Sequence, residues 1–348
     1  MRRDKALDLI RGAAMLHVLL VHILFWLNVF GSGPLASARS ALLFEMPVFF
    51  FVTGAANSLG ERRKWGDFCL RRAKALMIPY WGYAALCVLL AAAVSLARGA
   101  FSFAELGRTA LSWLLPLDRQ VMPLPFFTWA VWFVPVYLIV IVLFPPVRRA
   151  AERFGGAAVS AALAAVFLAS EFAGAPDILR KAAFYLAFAA LGTLWPALKR
   201  REGKTVKAAA CLLAASAAGL FACRCLSGGT LYMQANKFPP NHLYLLFSLA
   251  ALSALYLALP GIARAWRALA RRFPAPERWV LLYSENSVYA FLYQSFAFLA
   301  AARLLDAAGA GRGLAGFLLS SAVVYPLVTL GLLVLRRIRG RKENLRKQ

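Results

Sequence analysis

The sequence predicts an all-α, polytopic membrane protein with about ten transmembrane helices and both termini in the cytoplasm. Three observations lead to this fold class: the composition, the recurrence of apolar stretches and the distribution of basic residues. The 348 residues are 61% hydrophobic and only 16% charged, whereas a soluble domain carries about 25% charged residues. No polar region of domain size interrupts the apolar pattern, so we expect residues 1–348 to form a single transmembrane domain without an appended soluble domain.

Apolar stretches long enough to cross a bilayer recur ten times along the chain. They cover approximately residues 9–30, 40–58, 75–97, 128–147, 155–173, 178–197, 206–226, 241–260, 279–303 and 314–335. Pro135, Glu171 and Glu285 interrupt the fourth, fifth and ninth stretches. Residues 98–127 predict an amphipathic segment on the outer membrane surface, and residues 227–241 predict a turn-rich lid.

The distribution of basic residues supports the helix count. The chain carries 40 Lys and Arg against 15 Asp and Glu, a formal net charge of +25. These charges fall in short clusters between apolar stretches rather than in one patch, which argues against nucleic acid as a partner. With both termini inside, 29 of the 40 lie in cytoplasmic segments, beginning with Arg2 and Arg3, and Arg11 makes 30. Such enrichment is typical of cytoplasmic loops, and the basic tail predicts contact with anionic membrane lipids.

The first apolar stretch carries polar side chains on one face. Arg11 and His22 are eleven residues apart, which is about three helical turns plus 20° and about 16 Å along the axis. Asp8, three residues before Arg11, is close enough to pair with it, whereas His17 points elsewhere. Ionisable groups in a membrane are costly unless they face a protein interior or a wet cavity, so this face predicts a site. An interfacial Asp8–Arg11 anchor and a packing role for His22 are alternatives.

Glu45 is an acidic residue near the predicted outer end of the second helix. A carboxylate inside a membrane must either pair with a cation or take part in chemistry. A catalytic role and an ion pair with Arg39 or another outer cation are both compatible with its position. Thr53 and Gly54, further along the same helix, are small residues that predict a point of close approach by another helix or a ligand.

Arg71, Arg72 and Lys74 form a basic cluster at the predicted inner face, just before the third helix. Guanidinium groups bind phosphates through paired hydrogen bonds, which favours a phosphate-binding role. Anionic lipid head groups would explain the same cluster.

Motifs in six of the predicted helices resemble those of one family. L-D-L-I-R-G followed by His22 is similar to a first-helix signature, M-P-V-F-F-F-V-T-G-A to a second-helix stretch, and R-R-A-K-A-L-M-I-P-Y-W to a basic motif. Shorter similarities are W-F-V-P-V-Y-L at 132–138, K-F-P-P-N-H-L-Y-L at 237–245 and E-N-S-V-Y-A-F-L-Y-Q at 285–294. The family that these motifs resemble is the acyltransferase-3 family of integral-membrane O-acyltransferases. Two positions depart from it. The basic motif usually has two arginines three residues apart, whereas here the match is Arg71 with Lys74 or Arg72 with Ala75, and Gln294 stands where many relatives have histidine.

The resemblance implies an enzyme of the bacterial inner membrane that transfers an acyl group, commonly acetyl, from acyl-CoA to a hydroxyl of a surface polysaccharide or lipid-linked sugar. It implies that His22 is the base, that Glu45 orients or replaces it, and that Arg11, held by Asp8, contacts the donor or fixes the helix. The basic cluster would bind the CoA phosphates. Acyl-CoA is then a co-substrate, and neither a metal nor a tightly bound cofactor is expected. The partners would be acyl-CoA, a sugar or glycolipid acceptor and membrane lipids.

Two other classes of function stay open from the sequence. Intramembrane ionisable residues also mark permeation pathways, which makes a glycolipid transporter or flippase the main alternative. A sensor or scaffold without catalysis is the third, and the departures at Lys74 and Gln294 favour it somewhat.

Overall fold

A computed structural model describes residues 4–31, 35–117, 120–228 and 230–345. Arg2, Arg3, Arg346 and Lys347, which the topology argument counts as cytoplasmic, lie outside the described residues. Every named regular element within the described residues is a helix, so the all-α prediction is confirmed.

The helices follow one another with short connections. In chain order they are α1 (Lys5–Trp26), α2 (Leu35–Ala38), α3 (Glu45–Ser58), α4 (Trp65–Ala97), α5 (Phe103–Leu114), α6 (Phe133–Phe154), α7 (Gly156–Phe172), α8 (Asp177–Gly192), α9 (Trp195–Arg200), α10 (Gly203–Ser227), α11 (Met233–Lys237), α12 (His242–Arg272), α13 (Ala275–Glu285), α14 (Ser287–Ala307) and α15 (Leu314–Leu345). A 3₁₀ turn, Arg39–Leu42, lies between α2 and α3.

Eight helical stretches among the described residues are long and apolar enough to cross a membrane. They are Lys5–Trp26, Leu35–Ser58, Trp65–Ala97, Phe133–Phe154, Gly203–Leu226, His242–Arg272, Ser287–Ala307 and Leu314–Gly340. The predicted fifth and sixth spans correspond to α7 and α8, which have 17 and 16 residues. These helices are about 24–26 Å long, somewhat less than the roughly 30 Å hydrocarbon core of a bilayer. The chain is a multi-pass membrane protein, while ten spans and two cytoplasmic termini stay predictions.

The chain folds into two compact units, each built from three separate segments. The first comprises Met1–Ala14, Pro34–Trp65 and Ile139–Leu281, and the second comprises Met15–Gly33, Gly66–Leu138 and Leu282–Gln348. The chain passes from one unit to the other five times, within α1, α6 and α13, between residues 33 and 34, and after the first residue of α4, so neither unit is continuous in sequence. The expectation of one transmembrane domain over residues 1–348 stays a prediction.

In the first unit, α3 and α8 approach each other closely through glycines. A Cβ atom on Gly54 would lie 1.9 Å from the carbonyl oxygen of Ala189, and one on Gly192 would lie 2.2 Å from that of Phe51. Only residues without a side chain permit this contact, so the close approach predicted at Gly54 is confirmed. The adjoining core consists of Leu7, Ala14, Val48, Phe51, Val52, Ala55 and Trp195.

The start of α1 is fixed within the same unit. Asp4 accepts hydrogen bonds from Trp195 Nε1 at 3.1 Å and from Lys199 Nζ at 2.9 Å. Burial raises the pKa of the Asp4 carboxyl, but the hydrogen bonds from Trp195 and Lys199 outweigh it, and the pKa lies below its ordinary value. Further along α1, a Cβ on Gly12 would lie 2.1 Å from the carbonyl oxygen of Val280. Two independent contacts therefore hold this helix.

In the second unit, buried tyrosines join α4 to its neighbours. The Tyr83 hydroxyl donates to the carbonyl oxygen of Phe127 at 2.7 Å, and the Tyr80 hydroxyl donates to that of Trp113 at 3.0 Å. Trp113 belongs to α5, which buries this side chain and exposes several apolar ones. The amphipathic segment predicted within 98–127 is thus a helix, and its place on the membrane surface stays a prediction.

Candidate active site

Asp8 and Arg11 form the ion pair that the sequence predicts, within the first unit. Arg11 Nη1 lies 3.6 Å from Asp8 Oδ1, and the two side chains are 26% and 9% exposed. Both residues lie on α1, an unbroken helix that also carries His22. A nearly buried carboxylate beside a partly accessible guanidinium is compatible with a donor contact by Arg11 and with an anchor that fixes the helix.

His22 is hydrogen-bonded to Gln294 within the second unit. The distance from His22 Nδ1 to Gln294 Oε1 is 2.9 Å, and Gln294 is completely buried. The amide nitrogen of Gln294 also has a partner, because Nε2 donates to the carbonyl oxygen of Phe291 at 2.6 Å. Since the amide oxygen can only accept, His22 Nδ1 carries the hydrogen. In neutral His22 the lone pair therefore lies on Nε2.

Aromatic side chains surround the His22 imidazole. Trp26, one turn further along α1, stacks on it with ring centroids 3.9 Å apart and planes 12° apart. Phe291 and Phe298 of α14 lie with ring centroids 6.2 and 6.1 Å from it. The stacking and the Gln294 hydrogen bond together fix the ring plane, so the direction of the Nε2 lone pair is fixed as well.

Glu45 is paired with Lys237 in the first unit. The two side chains are 1% and 5% exposed, and Lys237 Nζ donates to Glu45 Oε1. The second carboxylate oxygen, Oε2, has no hydrogen-bond partner among the described residues. Lys237 is a cation of the kind that the pairing alternative requires, so the ion pair supplies a structural explanation for Glu45. Its role in catalysis stays a prediction.

The basic cluster lies near the start of α4, in the second unit. Arg71 and Lys74 are exposed, and neither has an ion pair or hydrogen bond with another described residue. The Arg72 guanidinium lies 5.9 Å from the centroid of the Phe68 ring. The charges of Arg71 and Lys74 are therefore available to an anionic ligand, whether a nucleotide phosphate or a lipid head group.

The structure groups the predicted residues in pairs. It brings Asp8 to Arg11 in the first unit, and it gives Glu45 and His22 partners, Lys237 and Gln294, that lie far away in sequence. Sequence reasoning missed Lys237 as a partner, although its place in a motif that resembles the family was a signal. No group of three or more His, Cys, Asp or Glu side chains among the described residues is arranged to hold a metal ion.

Comparison with known proteins identifies the family. Residues 4–337 match the family model of acyltransferase-3, described as an acyltransferase domain. No curated protein and no solved structure matches the chain. Because the match covers nearly the whole chain, and because eight helical stretches among the described residues are long and apolar enough to cross a membrane, this protein belongs to the acyltransferase-3 family of membrane acyltransferases.

Proposed function

We propose that this protein is a bacterial inner-membrane O-acyltransferase. It transfers an acyl group, which we propose is acetyl, from acyl-CoA to a hydroxyl of a surface polysaccharide or lipid-linked sugar. The observation that carries the proposal is the hydrogen bond between His22 Nδ1 and Gln294 Oε1. This hydrogen bond makes Nε2 the basic nitrogen of His22, the histidine on the predicted polar face of α1.

His22 acts as the general base in this proposal. Nε2 takes the proton from the acceptor hydroxyl as the oxygen attacks the thioester carbonyl carbon. The carbon–sulfur bond then breaks, the CoA thiolate leaves, and the proton held on Nε2 passes to the sulfur. The products are the O-acyl ester and free CoA, with no net change in protons.

Gln294 holds the imidazole in the required tautomer. In catalytic triads a carboxylate has this task and also stabilises the imidazolium that forms. A neutral amide oxygen can still accept the Nδ1 hydrogen, but it contributes less to stabilising the positive charge. Gln294 therefore keeps the imidazole oriented, but it stabilises the positively charged imidazolium less than a carboxylate would.

The basic cluster receives the donor in this proposal. CoA carries several phosphate charges that apolar helices cannot solvate, so cations must face them. Arg71 and Lys74 are exposed and without partners among the described residues, and the predicted topology puts them on the cytoplasmic side, where acyl-CoA is found. Arg11, positioned by Asp8, is a second candidate for donor contact.

The test is transfer of label from radiolabelled acetyl-CoA in membranes that contain the protein. We expect release of free CoA together with labelled glycan, and we expect both signals to be absent from membranes without the protein. Membranes in which a glycolipid crosses the bilayer while acetyl-CoA is not consumed would contradict the proposal and favour transport.

A further inference from the structure

A cavity of about 400 Å³ lies in the second unit, at the end of α1 that carries Trp26. We refer to it as the α1-end cavity. Its apolar wall consists of Trp26, Leu27, Pro125, Phe126, Leu299 and Ala302. Its polar wall consists of Asn28, Arg303, Asp306 and Arg312. The volume lies within the range of about 300–1,000 Å³ that is typical of small-molecule sites.

The cavity adjoins the candidate base. Trp26 forms part of the apolar wall and also stacks on the His22 imidazole at a centroid distance of 3.9 Å. Phe126, on the same wall, lies nearly parallel to Trp26 with ring centroids 6.1 Å apart. A saccharide held against Trp26 therefore lies next to His22, and its acceptor hydroxyl would reach Nε2 past the edge of the Trp26 ring.

One cation of the polar wall, Arg303, has no partner among the residues that the structure describes. Arg312 Nη2 lies 3.3 Å from Asp306 Oδ1, and Arg312 Nη1 donates to the carbonyl oxygen of Leu27 at 2.8 Å. Asp306 and Arg312 therefore balance each other's charge. Arg303 has neither an ion pair nor a hydrogen bond with another described residue, so the wall carries a net positive charge.

We propose that the α1-end cavity binds the acceptor, and that this acceptor is a saccharide with an anionic group, either a carboxylate or a phosphate. The assignment of this ligand as acceptor rests on the proposed function. A sugar ring has an apolar C–H face, which suits the wall containing Trp26, and hydroxyl groups, which suit Asn28 and Asp306. Arg303 is the cation that receives the anionic group.

The predicted topology favours acceptor over donor. The α1 helix runs from the cytoplasmic to the outer side, so Trp26 and the cavity lie at the outer end. The basic cluster suited to CoA phosphates lies at the predicted inner face, whereas the described residues of the cavity wall include two cations, of which Arg312 is paired with Asp306. Donor and acceptor would then approach His22 from opposite ends of α1.

The test is saturation-transfer difference NMR on the full-length purified protein in detergent, with glucose, glucuronate and glucose 1-phosphate as separate probes. We expect transfer to the ring protons of both anionic sugars, or of one of them, and a weaker signal for glucose. Preference for glucuronate would identify a sugar acid, and preference for glucose 1-phosphate would identify a phosphate-linked sugar.

Variants of the cation make the test specific. Arg303→Ala should weaken binding of the preferred anionic sugar about tenfold, the usual effect of losing a charge-assisted hydrogen bond, and Arg303→Lys should lose less. Arg108→Ala is the matched control, because it removes an exposed arginine of α5 that does not line the cavity. Binding by Arg303→Ala equal to that of the unmodified protein would overturn the proposal, as would no transfer to any probe.

The NMR measurement needs no acyl donor, which separates the two proposals. Saccharide binding without acyl transfer from acetyl-CoA would contradict the proposed function and leave saccharide binding by the cavity in place. Acyl transfer with the same Michaelis constant for the acceptor in Arg303→Ala and in the unmodified protein would contradict the cavity assignment alone.

Discussion

At the residue scale, the His22–Gln294 hydrogen bond decides which imidazole nitrogen can accept a proton. The Gln294 amide is fixed by the carbonyl oxygen of Phe291, which accepts a hydrogen bond from Gln294 Nε2. Because the amide nitrogen is already used, the amide oxygen faces His22 Nδ1. Gln294 therefore presents a hydrogen-bond acceptor to the imidazole.

Substitution of Gln294 tests this role. Gln294→Leu removes the acceptor of the Nδ1 hydrogen, and we expect kcat to fall about 100-fold, since general-base catalysis contributes roughly 10²–10⁴-fold. Gln294→Glu keeps an acceptor oxygen and should retain most of the activity. Steady-state CoA release measures both, and the Michaelis constant for acetyl-CoA should not change. Equal kcat values for Gln294→Leu and the unmodified protein would contradict the assignment.

The Glu45–Lys237 pair makes a second prediction at this scale. Lys237→Met leaves a buried carboxylate without its cation, which costs about 3–5 kcal/mol of stability. The double variant Glu45→Gln, Lys237→Met removes both charges and should recover most of that loss. The midpoint of thermal unfolding of the purified protein is the measurement.

The double variant also decides the role of Glu45. If it is folded and transfers acetyl groups at an unchanged rate, Glu45 is a structural residue and not a base. A double variant that unfolds at a lower temperature than Lys237→Met would contradict the view that the two charges stabilise each other.

At the element scale, the start of α4 carries the basic cluster. If Arg71 and Arg72 bind the CoA phosphates, the double variant Arg71→Ala, Arg72→Ala should raise the Michaelis constant for acetyl-CoA about 100-fold or more, because each charge-assisted contact contributes about 1.5–3 kcal/mol. The Michaelis constant for the sugar should not change. Binding of the donor should also weaken with salt.

The matched control is Arg98→Ala, Arg108→Ala. It removes the same charge from two exposed residues in the predicted outer region. Equal donor constants in the two double variants would refute the phosphate role and leave contact with anionic lipids as the function of the cluster.

The helices themselves were largely predictable, because a membrane span is a local property of the sequence. Hydropathy predicted the position of α1 to within four residues at each end, and it predicted the end of α4 at Ala97, whereas α4 begins at Trp65, ten residues before the predicted span. The ends of α7 were predicted to within one residue, whereas α8 ends at Gly192, five residues before the end of its apolar stretch. Helix ends depend on capping and turns, which hydropathy does not report.

The site was predictable only where it is local. Asp8 and Arg11 are three residues apart, and the helical period alone predicts their ion pair. Lys237 and Gln294 are 192 and 272 residues from their partners, and one sequence without structural information does not identify contacts over such separations. For the same reason the cavity beside Trp26, which three distant segments form, could not be derived from spacing.

At the scale of the whole molecule, the number of spans is the open prediction. If α7 and α8 both cross the membrane, a reporter inserted in the turn at 173–176 should be outside. If neither crosses, the same reporter should be cytoplasmic. If α7 and α8 do not cross the membrane, every other loop keeps its predicted side of the membrane. Only the insertion at 173–176 therefore distinguishes ten spans from eight.

Two further insertions serve as controls for the topology. Reporters within 98–127 should be outside and reporters within 260–278 should be inside, because 30 of the 40 basic residues are predicted to be cytoplasmic. The opposite result at either loop would contradict the orientation of α1, and with it the entry of acyl-CoA at the basic cluster.

The central claim is that His22 is the base of an acyl-CoA-dependent transfer, and the most direct measurement is the initial rate of CoA release by purified His22→Ala with acetyl-CoA and acceptor glycan. His17→Ala is the matched control, since His17 lies on the same helix and points away from the polar face. We predict that His22→Ala loses at least about 100-fold in rate while His17→Ala keeps the rate of the unmodified protein. A well-folded His22→Ala protein with full activity would contradict the claim.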